Sequence, residues 1–121
     1  MNFNYSEEQT LLQDSVTKFI ANDYDYETRQ RHSAMEQGFD PATWQTFAEL
    51  GWLCVPFSEE DGGIGGGAVE IMIMMEAFGK GLVVEPFVPT VLMAGQLIAR
   101  LGSAEQKAEW LGAIIEGSRK L

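Results

Sequence analysis

The 121 residues carry 18 acidic side chains against 8 basic ones, a formal net charge of -10, and 45% of them are hydrophobic. That composition suits one packed domain and is too apolar for a disordered chain. With a pI near 4.4 there is no electrostatic footprint for nucleic acid or an anionic membrane, and Cys54, the sole cysteine, excludes an intrachain disulfide framework.

Ser6 and Gln9 form a capping box at the head of a first helix, with Glu7 and Glu8 in the turn where the helix dipole favours acids. Leu11, Leu12, Val16, Phe19 and Ile20 recur at helical spacing, and the pattern ends near Asn22. A polar second helix is expected from Tyr26 to about Glu36. Asp40 as N-cap, Pro41 at the first helical position and Gly51 as the stop bound a third, with Trp44, Phe47, Ala48 and Leu50 inward. Trp52 to Phe57 reads as a short strand or an extended link, and an acidic, glycine-rich loop fills 59–67.

The helix expected from Ala68 to about Phe78 is apolar nearly all round, as is the one from about Phe87 to Leu101 beyond the Gly79–Pro86 connection. Gly102 stops the latter. A second capping box, Ser103 and Gln106, opens a last amphipathic helix marked by Ala104, Ala108, Leu111, Ile114 and Ile115 and ended by Gly117. Five or six helices make an all-α bundle. Residues 1–61 hold 12 acids and 3 bases, residues 62–121 hold 6 and 5, so the second half reads as the buried half. Its two all-round apolar helices need more partners than four amphipathic helices supply, and the chain ends soon after Gly117. The opening MNFNYSEEQ lacks the features of a signal peptide, and the apolar run from Val88 to Ala99 falls short of the roughly 20 residues that cross a bilayer, so a cytoplasmic protein is expected.

Few side chains suggest chemistry. Gly63 to Ala68 spells G-x-G-x-x-A, and Glu85 follows at a spacing suited to a dinucleotide fold. Yet Ser58 to Gly62 separate the glycines from any strand, and Glu59, Glu60 and Asp61 would repel a pyrophosphate. A turn that lets two helices pack closely is the expectation. The same three acids lack the spacing of a calcium loop and read as a solvated turn. His32, the only histidine, reads as a surface side chain among Arg29, Gln30, Arg31 and Ser33, and Cys54 as a small core residue. No metal site is expected. Glu70, Glu76 and Glu85 are the acids of the apolar region, and Glu76 is the carboxylate to test for a functional role. Met72, Met74 and Met75 cluster as core or as the lining of an adaptable pocket.

Four stretches together resemble the N-terminal helical domain of the acyl-CoA dehydrogenase superfamily: FNYSEEQTLLQDSVTKFI at 3–20, WQTFAELGWLCVPFSEEDGGIGG at 44–66, VEIMIMMEAFGKGLVVEPF at 69–87 and LGSAEQKAEWLGAIIEG at 101–117. Glu49-Leu50-Gly51-Trp52-Leu53, Pro56, Gly62-Gly63 and Gly65 are its most specific core, and Val83-Val84-Glu85-Pro86-Phe87 resembles the branch containing small subunits of pimeloyl-CoA-type dehydrogenases. The resemblance implies a flavoenzyme subunit in which this all-α domain, residues 1–121, precedes a β-domain and a C-terminal helical bundle that lie outside this chain. In that family a carboxylate base takes the α-proton of an acyl-CoA thioester while hydride passes from the β-carbon to FAD, and electrons leave through an electron-transferring flavoprotein. The base and most flavin contacts belong to the other two domains, so no catalytic residue is expected here, and the isolated chain is expected to be inactive with little or no flavin affinity. Met75, Phe78, Phe87, Val88, Val91, Leu92 and Gly95 are the implied lining of one wall of the acyl pocket. A homo- or heteromeric assembly is implied. The alternative is a free-standing helical module that binds a partner or dimerises through its apolar face.

Overall fold

Helix α1, Glu7–Asp23, begins at its capping box: the Gln9 N–H donates to Ser6 Oγ at 3.2 Å and the Ser6 N–H to Gln9 Oε1 at 2.9 Å. These distances come from a computed structural model, which describes residues 2–120. Asp25 caps α2, Tyr26–Ser33, by accepting the Thr28 N–H at 2.8 Å. This helix stops three residues short of the expected Glu36, because a turn closes with Gly38 N–H on the Met35 carbonyl and Gly38 takes a φ of 79°. Asp40 caps α3, Pro41–Glu49, and Gly51 ends it at a φ of 79°.

The segment after Gly51 is not a strand. Trp52–Cys54 forms a 3-10 turn and Glu59–Asp61 a second, and among the described residues there is no strand at all. The carbonyls that a strand would offer to a neighbour are taken instead by the glycine loop: Gly66 N–H donates to Val55 O at 2.8 Å and Gly65 N–H to Phe57 O at 2.7 Å. Backbone lies directly on backbone here. A Cβ built on Gly66 would stand 2.6 Å from the Val55 carbonyl oxygen, and one on Gly63 would overlap the carbonyls of Phe57 and Cys54. The glycines therefore serve a loop folded onto residues 52–57 rather than the approach of two helices.

Helix α4, Ala68–Gly81, runs three residues past Phe78 before Leu82 closes it in a left-handed conformation, φ 52°. Gln9 ties the starts of α1 and α4 together: its side-chain amide donates to Glu70 Oε1 at 2.9 Å, while Glu70 Oε2 accepts the Gly67 N–H at 2.8 Å. The expected helix over 87–101 divides in two. Val88–Gly95 is π-helical and passes directly into α5, Gln96–Leu101. Gly95 lets the Phe57 ring lie against this wider turn, since a Cβ there would sit 2.7 Å from Phe57 Cζ. Helix α6, Ala104–Ile115, starts at the Ser103–Gln106 box and ends before Gly117, φ 83°.

α1 lies along α4, and the core between them is aromatic. Phe47 stacks on Phe78 with centroids 5.4 Å apart, Phe19 meets Trp52 edge-on at 5.4 Å, and Phe78 meets Phe87 at 5.3 Å. Both halves of the chain supply it: Val16, Trp44, Phe47, Leu53 and Phe57 are as buried as Ile73, Met74, Val91 and Ile114. Burial is thus shared between the two halves. The second half also turns apolar side chains outward, with Met93, Leu97 and Leu101 between 60% and 78% exposed.

Candidate functional site

Between α4 and the π-helical segment lies an apolar pocket of about 270 Å³, lined by Met75 and Phe78 from α4, by Val83 to Phe87 from the connection, and by Val88 and Pro89. The connection has no helical or strand ladder to satisfy its backbone, so side chains from elsewhere do it. Arg29 Nε donates to the Leu82 carbonyl at 3.0 Å, and the Tyr24 hydroxyl accepts the Val84 N–H at 3.1 Å.

Glu85 anchors this wall from behind. Its side chain is fully buried in a polar cluster. Oε1 accepts the Tyr24 O–H at 2.6 Å and Oε2 accepts the Asp40 N–H at 2.9 Å. His32 Nδ1 stands 3.2 Å from Oε2, near enough for charge interaction but not aligned for a hydrogen bond, and His32 Nε2 is 3.5 Å from Asp40 Oδ2. The Tyr24 ring meets the imidazole edge-on at 5.2 Å. Burial first, and then the hydrogen bond to Glu85, push the Tyr24 phenol well above its ordinary range. Asp40 goes the other way. Partial burial opposes ionisation, but the Thr43 hydroxyl, the Ala42 N–H and His32 outweigh it and hold the carboxyl below its usual value.

His32 is thus not a surface side chain: only 5% of it is exposed, because the last turn of α2 folds over Tyr24. The carboxylate singled out for testing, Glu76, is 58% exposed and lies 3.8 Å from Lys80 one turn on, whereas Glu85 is the acid enclosed by the fold. An acid directly before a proline in the apolar run Val83 to Val88 was the available signal for Glu85. Its partners Tyr24 and Asp40 lie 61 and 45 residues away, and no local spacing reveals them.

The seven expected lining residues do not share one surface. Met75, Phe78, Phe87 and Val88 meet at the pocket, while Leu92 lines a different groove with Pro56, Ile71 and Leu97. Val91 is wholly buried and Gly95 backs onto Phe57. The methionines also separate: Met72 is half-exposed, Met74 is in the core and Met75 reaches the pocket. Cys54 is half-buried, its thiol donates to the Gly51 carbonyl at 3.1 Å, and burial pushes its pKa up, away from nucleophilic use. Asp61 in the acidic turn is only 16% exposed and pairs with Lys107 at 3.1 Å. Among the described residues no group of His, Cys, Asp or Glu could hold a metal ion, and no helix is long and apolar enough to cross a membrane. The glycine loop does not fit a dinucleotide pyrophosphate: the N–H groups of Gly63, Gly65, Gly66 and Gly67 are all engaged within the chain.

The chain is 32% identical over 123 residues to the acyl-CoA dehydrogenase FadE12 of Mycobacterium tuberculosis H37Rv, a match over 97% of this chain and 30% of that protein. Among solved structures, a variant of the Tcur3481-Tcur3483 steroid ACAD superposes with a TM-score of 0.84 at 29% identity, over 94% of this chain and 31% of that one. The butyryl-CoA dehydrogenase of Megasphaera elsdenii shares the fold, with a TM-score of 0.83 at 22% identity over 99% of this chain and 32% of that one. This chain therefore spans about a third of the length of the proteins it matches. Residues 6–118, from the first capping box past the end of α6, match the family described as acyl-CoA dehydrogenase, N-terminal domain, and the chain belongs to that family.

Proposed function

We propose that this domain forms one wall of the acyl pocket of an FAD-dependent acyl-CoA dehydrogenase and performs no proton or hydride transfer itself. The observation that carries the reading is the apolar pocket at Val83 to Pro89, which contains no carboxylate oxygen free to act as a base. Glu85 is among the lining residues, but both of its side-chain oxygens are engaged, by the Tyr24 hydroxyl and the Asp40 N–H. Met75, Phe78, Val83 and Phe87 would exclude water from an acyl chain and hold it by contact alone. Bound FAD would accept the hydride. Because the glycine loop offers no phosphate cradle, the flavin would be held by parts of the protein outside this chain, as would the base.

In this reading the substrate is an acyl-CoA thioester, the electron acceptor an electron-transferring flavoprotein, and the site of action the cytoplasm. The paired name of the Tcur3481-Tcur3483 steroid ACAD supports an assembly of unlike chains over one of identical chains. Gel filtration of the 121-residue chain with FAD tests the division of labour. The expected result is a colourless protein peak with no dehydrogenation of octanoyl-CoA; co-elution of stoichiometric flavin would overturn it.

A second reading, a binding module without catalysis, is favoured by the outward apolar row Met93, Leu97 and Leu101. It predicts that the 121-residue chain by itself dimerises in solution, whereas the first reading predicts no defined oligomer of the chain alone.

A further inference from the structure

The wall of the pocket is an irregular segment between two helices, with few backbone hydrogen bonds to either. Leu82 leaves α4 in a left-handed conformation, and helical hydrogen bonding resumes only after Pro86. Across this gap Val83 N–H returns to Phe78 O at 3.0 Å and Phe87 N–H to Glu85 O at 2.8 Å. Side chains also join this segment to the first three helices: Arg29 to Leu82, Tyr24 to Val84, and Glu85 to Tyr24 and Asp40.

We propose that Glu85 is a positioning residue for the acyl pocket, fixing the Val83–Phe87 wall against α1 and α3 so that pocket depth is set from behind; this rests on the reading of the pocket given above. The geometry is specific to a carboxylate. Its two oxygens accept from two donors on different elements, the Tyr24 hydroxyl at the end of α1 and the Asp40 N–H at the start of α3. A glutamine in its place can accept at one oxygen only and turns an N–H toward the other donor. The Tyr24 hydroxyl is committed on both sides, donating to Glu85 and accepting from Val84, so the carboxylate also fixes the backbone of the residue before it. Val83, Val84 and Phe87 line the pocket together with Met75 and Phe78. A shift of this segment away from α4 would deepen the pocket, and a slack segment would admit acyl chains of differing length equally.

The test uses the protein as purified from its source, with Glu85→Gln, the milder Tyr24→Phe and, as control, Glu76→Gln. Amide hydrogen exchange is followed by mass spectrometry, and binding of butyryl-, octanoyl- and palmitoyl-CoA by calorimetry. The expected result is exchange of residues 82–88 accelerated by about tenfold or more in E85Q, less in Y24F, and unchanged in E76Q. The remaining helices should keep their protection, and the spread of affinities across the three thioesters should narrow in E85Q. Acceleration spread evenly over the whole chain would show Glu85 to be a stability residue only and would overturn the proposal, as would unchanged exchange at 82–88. If E85Q fails to fold, Y24F decides by the same criteria. Failure of the wild-type protein to bind any of the three thioesters would overturn the pocket assignment instead, and the exchange pattern would still decide whether Glu85 positions the segment.

Discussion

The Tyr24 hydroxyl donates to Glu85 Oε1 at 2.6 Å and in the same position accepts the Val84 N–H at 3.1 Å, so one phenol joins the end of α1 to a carboxylate and a backbone 60 residues on. Removing either partner strands buried donors. Glu85→Ala leaves the Tyr24 hydroxyl and the Asp40 N–H unpaired, at roughly 1–3 kcal/mol for each. Tyr24→Phe strands the Val84 N–H and one carboxylate oxygen while keeping the ring against His32. We expect urea midpoints in the order wild type, Y24F, E85A, and equal midpoints would contradict the burial of the pair.

Two glycines in helical surroundings should respond oppositely to the same change. At Gly95 a Cβ would lie 2.7 Å from Phe57 Cζ, and Gly95→Ala should cost about 1–3 kcal/mol through displacement of that ring. At Gly112, inside α6, nothing lies within 4 Å of the added atom, so Gly112→Ala should stabilise by roughly 0.5–1 kcal/mol. Thermal melts of the two variants give the comparison directly.

Acid should loosen the helix starts first. The Gln9 amide and two backbone N–H groups hold Glu70 below its ordinary value of 4.5, and Thr28 holds Asp25 below 3.8; Asp40 is held below 3.8 despite partial burial. A carboxyl with a depressed pKa in the fold stabilises it fully above the unfolded value and loses that contribution as pH falls through the folded one. Stability should therefore be level above about pH 5 and fall as the pH is lowered through 4. Glu70→Gln should flatten part of that fall, which denaturation at pH 3.5 and pH 6 would reveal.

Met93, Leu97 and Leu101 project from one side of the π-helical segment and α5 into solvent. Replacing all three with glutamine should leave the melting temperature within about 2 °C, since surface changes alter stability by under about 0.5 kcal/mol. Binding of an apolar dye, or self-association by light scattering, should fall sharply. Unchanged association would place the adhesive surface elsewhere.

Much of the fold was legible because its signals are local. Both capping boxes, the Asp40–Pro41 start and the Gly51, Gly102 and Gly117 stops are statements about neighbours three or four residues apart, and α1, α3 and α6 occur as the spacing predicts. The 52–57 segment misled because a short apolar run looks alike whether its carbonyls face a strand or a glycine loop. The π-helical turn was invisible, because an apolar run without a clear period looks alike in an α-helix and in a wider one. The candidate site was legible only as a stretch of chain. Which of its residues face the pocket depends on helix rotation, and the enclosure of Glu85 and His32 depends on elements distant in sequence.

The glycine loop also bears on the order of events in folding. Its ties, Gly66 to Val55 and Gly65 to Phe57, close circuits of about ten residues, while the Tyr24–Glu85 bond must bring together positions 61 apart. Short circuits lose little chain entropy on closing, so this clasp can be in place before α1 meets α4. Gly66→Ala is then expected chiefly to slow refolding, whereas Tyr24→Phe is expected chiefly to hasten unfolding. The clasp over residues 52–66 would in that case act on how quickly the chain reaches its fold, and the Tyr24–Glu85 tie on how long it stays there.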